Sequence, residues 1–437
     1  MNLFDLTLRL SGFPLRDAQR RLQDIQEIPE TDFEAYVKGQ RATILDYHLV
    51  NNRTYRDFVD HRVFDDWNDV PVMQKKDLQK PLTERLSTGF TPKNVYVNKT
   101  SGSSGHPFIF AKDKFCHALT WAEIYDRFGW YGLDFNKSLQ ARFYGIPLDA
   151  KGYRKERIKD WLSHRYRFPI FNLSDAKLEQ FLAVFRRKKF DYINGYTSSI
   201  VLFAKFLKRK DLTLTEVCPT LKYCIVTSEM LFESDKQLMQ EVLGVPVINE
   251  YGASELDLIA FENKQGEFVV NSETLFVEIL DDENKPVPNG QPGRVVITSL
   301  YNKAHPMIRY EIGDTGIFSP ASTYKKPVLQ ELIGRTNDVA TLPSGKTVPG
   351  LTFYYVTKSI IEDDGNVSEF VIEQHAVDSF KILYASGREL TSEEIQVMEN
   401  ALWKYLEPNL KLTFERVAVL DRSKRGKLKQ FTSLIPS

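Results

Sequence analysis

The chain has 437 residues, 42% of them apolar, and its 58 basic side chains are balanced by 58 acidic ones. That length predicts two or three domains with sizeable cores, and the balanced charge excludes a global electrostatic pull toward nucleic acid or a membrane surface. Cys116, Cys218 and Cys224 are odd in number and lack C-x-x-C spacing, which argues against a disulfide framework or a four-cysteine zinc site. The N-terminal MNLFDLTLRLSGFPL has no basic n-region, and Asp5 and Arg9 interrupt its apolar residues, so it does not read as a signal peptide. No run approaches the roughly 20 apolar residues of a membrane span. The expectation is a cytoplasmic protein, monomeric or dimeric, with no nucleic-acid partner.

Residues 15–50 place apolar side chains at i, i+3 and i+4 spacing, which predicts two helices. NVYV (Asn94 to Val97) and PFIF (Pro107 to Phe110) then read as strands around the polar run KTSGSSGHP, Lys99 to Pro107. Gly102 and Gly105 open backbone conformations closed to other residues, so successive N–H groups can turn inward as an anion nest. The hydroxyls of Thr100, Ser101, Ser103 and Ser104 add donors, and Lys99 adds charge. The loop suits a polyphosphate; a solvated Ser/Gly hairpin is the plain alternative. It matches neither the P-loop pattern nor the G-x-S-x-G elbow of hydrolases.

Asp113 to Trp130 reads as an aromatic-rich helix, and ARF before Tyr144 as a strand. Helical stretches (Leu178 to Arg187, Ser198 to Lys208, Glu233 to Leu243) then alternate with the strands DYINGY, YCIVTSE and VPVINEYG. That alternation predicts a largely parallel sheet, in which ligands collect at the carboxyl ends of strands. TSE, Thr227 to Glu229, and NEYGASE, Asn249 to Glu255, fall there. The basic groups Arg186 to Lys189 and Lys208 to Lys210 sit at helix ends, where cations suit the dipole. From Glu267 to Phe318 strands separated by Gly, Pro and Asn turns predict a β-rich subdomain. ATLPSGKT, Ala340 to Thr347, narrowly misses a P-loop, because Pro343 removes a donor, and reads as strand–turn–strand. A helix near Leu351 to Ile361, strands VSEFVIEQ and SFKILYA, a helix from Ser392 to Leu406 and the strand KLTFERVAVL predict a compact α+β domain.

Four further stretches follow the loop in a fixed order: NEYGASE, IRYEIGDTG (Ile308 to Gly316), LIGRTND (Leu332 to Asp338) and RGKLKQF (Arg425 to Phe431). The series resembles the adenylate-forming enzymes: acyl-CoA synthetases, luciferases and peptide-synthetase adenylation domains. HPMIRYEIGD and the two helices ahead of the loop are most similar to the phenylacetate–CoA ligase branch, among relatives linked to capsular-polysaccharide biosynthesis. The resemblance implies an α/β fold with a large N-terminal domain over residues 1–334. Its mixed sheets would be flanked by helices, with the β-rich subdomain at about 265–334. A small mobile α+β domain would occupy 335–437.

The resemblance also implies a two-step reaction. ATP and a small-molecule carboxylic acid, by the resemblance an aromatic or medium-sized apolar one, give an acyl-adenylate, and a thiol or amine then takes the acyl group. In it, Thr100, Ser101, Gly102, Ser103, Ser104 and Gly105 hold the β- and γ-phosphates, Glu255 binds Mg²⁺, and Ser254 meets the α-phosphate. Tyr251, within Glu250, Tyr251, Gly252 and Ala253, flanks the adenine, and Ser228 and Glu229 form the turn on the adenine side. Asp314 accepts from the ribose hydroxyls, Arg335 adds a guanidinium nearby, and Arg309 is a weaker candidate for the same region. Asp338 falls at the hinge, and Lys427 matches the mobile catalytic lysine, with Lys429 close behind. Ser103-Ser104 stands where many relatives carry Ser-Thr or Thr-Thr. VATLPSGKTVPGLTFYYV departs from the pattern that contributes a thiol-binding face, so an amine acceptor stands beside coenzyme A. A non-catalytic nucleotide-binding protein is the remaining alternative.

Overall fold

A computed structural model describes residues 3–78, 80–99, 108–145, 150–170, 173–335, 339–349, 367–420 and 430–435. The chain packs as two compact units, the first from Met1–Ile312 and Gly316–Glu331, the second from Gly313–Thr315 and Leu332–Ser437. The helix expected near Leu351 to Ile361 lies outside the described residues.

In the first unit α1 (Leu3–Leu10), α2 (Leu15–Gln26), α3 (Glu30–Asn51), α4 (Arg53–Phe58) and α5 (Leu82–Arg85) precede a hairpin of β1 (Tyr96–Lys99) and β2 (Ile109–Lys112). Both hairpin strands begin two residues later than their sequence patterns, so the register pairs Lys99 with Ile109 across the polar loop. Then come α6 (Lys114–Gly129), β3 (Gln140–Tyr144), α7 (Ala150–Leu162), β4 (Arg165–Pro169), α8 (Asp175–Phe185) and β5 (Tyr192–Tyr196). After these follow α9 (Thr197–Arg209), α10 (Leu214–Val217), β6 (Tyr223–Thr227), α11 (Glu233–Leu243) and β7 (Val247–Ala253). Asp113 starts α6 by accepting from the Phe115 and Cys116 amides at 2.9 Å each. The sequence pattern does not announce α7, because this helix exposes Ile158 and Trp161 instead of burying a regular apolar stripe.

The strands β8 (Asp257–Glu262), β9 (Phe268–Val270), β10 (Leu275–Leu280), β11 (Pro292–Ser299), β12 (Tyr310–Phe318) and β13 (Val328–Arg335) complete an eleven-stranded sheet. Its order is β10-β11-β12-β13-β9-β8-β7-β6-β5-β3-β4. Strands β4, β3, β5, β6 and β7 are parallel neighbours. From β7 to β8 and β8 to β9 the pairing turns antiparallel, and the β-rich region continues the same sheet. On one face of the parallel half, Ala141, Phe143, Phe168 and Val226 pack with Phe181, Phe185, Phe203 and Leu207 of α8 and α9. That sheet–helix layer is the largest apolar core among the described residues and leaves the strands' carboxyl ends free for chemistry.

In the second unit β14 (Val339–Thr341) and β15 (Thr347–Pro349) form the strand–turn–strand read from the sequence. A four-stranded sheet combines β16 (Val367–Ala376), β17 (Ser379–Ser386), β18 (Lys411–Val417) and β19 (Phe431–Ser433) in the order β18-β17-β16-β19. Helix α12 (Ser392–Tyr405) starts with a capping box between Thr391 and Glu394 and buries Met398 and Leu402 against Phe370, Ile372 and Phe380.

Candidate functional site

The site is built at the carboxyl ends of β6 and β7. Their register sets Thr227 beside Glu250, so the turns that follow the two strands emerge side by side. Ser228 opens the first turn with φ +70°, a strained value for a residue with a Cβ, and its side chain is exposed. Glu229 turns back: its Oε2 accepts the Ser198 amide at 2.7 Å, at the start of α9, so this carboxylate meets a helix N-terminus.

In the second turn β7 bulges between Tyr251 and Gly252, where it meets β8. A Cβ on Gly252 would lie 2.5 Å from the Asp257 carbonyl oxygen, so only glycine fits this approach. Tyr251 is buried, with its ring 6.5 Å from that of Phe268, and Ser254 is exposed beyond the bulge. Glu250 is half-buried. Burial pushes its carboxyl up, opposed by a hydrogen bond from Thr227 and by the charge of Arg142.

Glu255 is buried, and its Oε1 accepts the Tyr310 hydroxyl at 3.1 Å. The Tyr310 ring stacks on Phe108, 6.5 Å between centroids, and Phe108 is the first described residue after the polar loop. The loop's exit is therefore coupled through one aromatic pair to the carboxylate. A second link lies alongside. Lys112, at the end of β2, pairs with Asp257 while buried, and Thr120 of α6 donates to the same carboxylate oxygen at 3.0 Å. Burial alone would lower the Lys112 pKa; the Asp257 charge outweighs it and holds the ammonium above its ordinary value. Arg85 also donates to the Ile109 carbonyl at 2.7 Å, and Asn302 to the Ala111 carbonyl at 2.9 Å. Strand β2 is thus clamped to the turn that carries Glu255.

No family model matches the chain. It is 22% identical over 327 residues to the protein CapK of Staphylococcus aureus, covering 71% of this chain and 68% of that protein. It is 24% identical over 245 residues to the phenylacetate-coenzyme A ligase of Thermus thermophilus, covering 49% of this chain and 54% of that one. Among solved structures, a 2-hydroxyisobutyryl-CoA ligase in complex with 2-HIB-AMP aligns with a TM-score of 0.70 at 16% identity, over 92% of this chain and 90% of that one. The chain is thus similar in sequence to CapK and to phenylacetate-coenzyme A ligases, and it shares the fold of a CoA ligase.

Of the residues that this family resemblance singles out, the fold gathers Ser228, Glu229 and Glu250 to Glu255 at adjoining strand ends. Asp314 is buried on β12 and follows Gly313, which has φ +87°. The backbone of Arg335 ends β13. Thr100 to Gly105, Asp338, Lys427 and Lys429 lie outside the described residues.

Arg309 corrects an expectation. Its fully buried guanidinium donates to the carbonyls of Asn68, Val70 and Asn284 at 2.6–2.9 Å and pairs with Glu278 at 3.4 Å, which leaves it for structure and not for a nucleotide. Sequence reasoning also missed Tyr310, Lys112 and Asp257. Tyr310 stood inside a quoted motif, and only its hydrogen bond to Glu255 reveals a role. The Lys112–Asp257 pair spans 145 positions and has no local signal.

Proposed function

We propose that the protein is an ATP-dependent, AMP-forming carboxylate ligase. It joins a carboxylic acid to the α-phosphate of ATP, releases pyrophosphate, and passes the acyl group to a thiol, coenzyme A, or to an amine. The observation that carries this reading is the buried Glu255, held by Tyr310 at the strand ends and tied through Phe108 to the Ser/Gly loop.

The carboxylate oxygen of the acid attacks the α-phosphorus, an oxygen–phosphorus bond forms, and the bond to the pyrophosphate oxygen breaks. Such a substitution needs positioning and charge stabilisation more than covalent help. Thr100 to Gly105 cradle the β- and γ-phosphates with backbone amides and hydroxyls, and Ser254, exposed beyond the bulge, reaches the α-phosphate. Tyr251 flanks the adenine with the Ser228–Glu229 turn, Asp314 accepts from the ribose hydroxyls, and Arg335 assists there. Lys427 opposes the charge that builds on the α-phosphate. In the second step the acceptor attacks the acyl carbon and AMP leaves, after the small domain turns about Asp338.

Mg²⁺ would be held by Glu255. Among the described residues this carboxylate has one hydrogen bond and no ion pair, and a hard cation asks for such an oxygen with phosphate oxygens and water beside it. When bound, the ion neutralises charge on the phosphates of ATP.

ATP–pyrophosphate exchange, measured with a panel of acids, tests the proposal. At least one acid should drive exchange in the wild type, with Glu255→Gln far weaker and partly restored by raised Mg²⁺. Exchange that Glu255→Gln leaves unchanged would refute the assigned role.

A further inference from the structure

The sheet has a second face at these strand ends. Ala141 and Phe143 enter the apolar core with α8 and α9, so the alternation of a strand sends Gln140 and Arg142 to the opposite side, while Tyr144 at the strand's end packs against that core. Register carries that side across the sheet: Arg142 pairs with Arg167 and Asn194, Tyr196 with Thr227, and Thr227 with Glu250. Near β8 this side is apolar, with Tyr192, Ile225 and Ile248 packed on Phe128, Leu133 and Phe261. Among the described residues, this apolar cover does not extend to β3 and the carboxyl ends. Arg142, Asn194, Thr227 and Glu250 stand there, and at the strand ends beside them Tyr144 and Tyr196, with rings 4.6 Å apart, pack with the α8–α9 core.

The charges on this face are unequal. Arg165 pairs with Asp160 at 2.6 Å, and Arg167 pairs with Asp160 at 2.9 Å and Glu156 at 2.8 Å. Arg142 has no ion pair among the described residues. Its guanidinium lies 3.9 Å from the Tyr144 ring centroid, makes one long contact of 3.4 Å with Gln140 Oε1, and leaves Nε buried without a partner. A buried donor without an acceptor costs stability unless a ligand supplies one. Glu250 is bonded to the Thr227 hydroxyl; burial raises its carboxyl, and the charge of Arg142 opposes that shift without an ion pair between the two. An aryl or alkyl acid would leave the Arg142 donors as they are.

We propose that the acid activated at this site carries a second anionic group, a carboxylate or a phosphate, and that Arg142 binds it. This rests on the adenylating function proposed above and names its substrate class. A planar guanidinium forked onto two oxygens gives both charge and orientation.

The test uses the full chain with ATP, Mg²⁺ and hydroxylamine, reading pyrophosphate release for matched acids: valerate against glutarate, phenylacetate against homophthalate, and glucuronate against glucuronate 1-phosphate. The doubly anionic member of at least one pair should be preferred by about tenfold or more in kcat/KM, the effect of one charge-assisted hydrogen bond. Arg142→Gln should erase that preference through KM with little change in kcat, and Arg142→Lys should restore part of it, both with no loss of melting temperature. Preference for the singly charged member wherever release occurs, or discrimination unaltered in Arg142→Gln, overturns the inference and leaves the ligase reading standing. Release from none of the acids counts against the ligase reading itself, and this inference falls with it.

Discussion

Tyr310 reaches Glu255 through one hydroxyl, and the pair makes a sharp residue-scale prediction. Tyr310→Phe keeps the stack on Phe108 and removes the hydrogen bond to a carboxylate, a loss of about 1.5–3 kcal/mol. Pyrophosphate exchange should fall roughly ten- to hundredfold while the melting temperature moves little; unchanged exchange would separate Tyr310 from the chemistry. His48 makes a prediction about pH. It is fully buried, its Nε2–H donates to the Asn302 carbonyl at 2.9 Å, and its Nδ1 accepts from Ser87 at 3.2 Å. Burial lowers its pKa to about 4. Between that value and the ordinary value of about 6.5 the unfolded chain binds the extra proton, so stability rises with pH. The His48 contribution is whole above about pH 6.5 and shrinks by about 3 kcal/mol as pH falls to 4. The gap in urea stability between wild type and His48→Gln should therefore narrow over that range, and a constant gap would contradict the assignment.

At the scale of elements, β2 is the strut between the polar loop and the Glu255 turn, and the Lys112–Asp257 pair fastens it. Removing one partner of a buried pair leaves an uncompensated charge, which costs about 3–5 kcal/mol. Lys112→Met should cost about that much in denaturant unfolding and should also weaken exchange, because the turn after the Gly252 bulge loses its anchor. A double variant with Asp257→Asn, which tolerates the φ of +58° at this position, should recover much of the stability, and no recovery would show that the two charges are not coupled. The elements differ in how readable they were. Alternating helices and strands gave away the parallel half of the sheet, because α8, α9 and α11 each carry an apolar stripe. Neither α7, with its exposed Ile158 and Trp161, nor Arg309, whose partners are backbone carbonyls far away in the chain, has a local pattern that periodicity can catch. The polar face of β3 escaped for a related reason. Alternation shows that Arg142 and Phe143 point opposite ways, but only the folded sheet shows which side the helices cover.

For the whole molecule, each unit has its own core, and Leu332 begins the main stretch of the second. Under the proposed function, a reaction in two steps would ask Lys427 and the acceptor to use the same face of the adenylate in turn, which a rotation about Asp338 would allow. Proline fixes φ near −65°, so Asp338→Pro should slow acyl transfer more than pyrophosphate exchange; equal loss in both would remove the hinge role. Lys427→Ala should instead lower exchange by about 10²–10³, the usual loss for one electrostatic group at a transition state.

The central claim is that ATP is cut between its α- and β-phosphates. The most direct measurement is the identity of the nucleotide formed when wild-type protein, ATP, Mg²⁺ and an accepted acid are incubated with hydroxylamine. The account predicts AMP and pyrophosphate in equal amounts with the hydroxamate of the acid, and ADP with inorganic phosphate would contradict it.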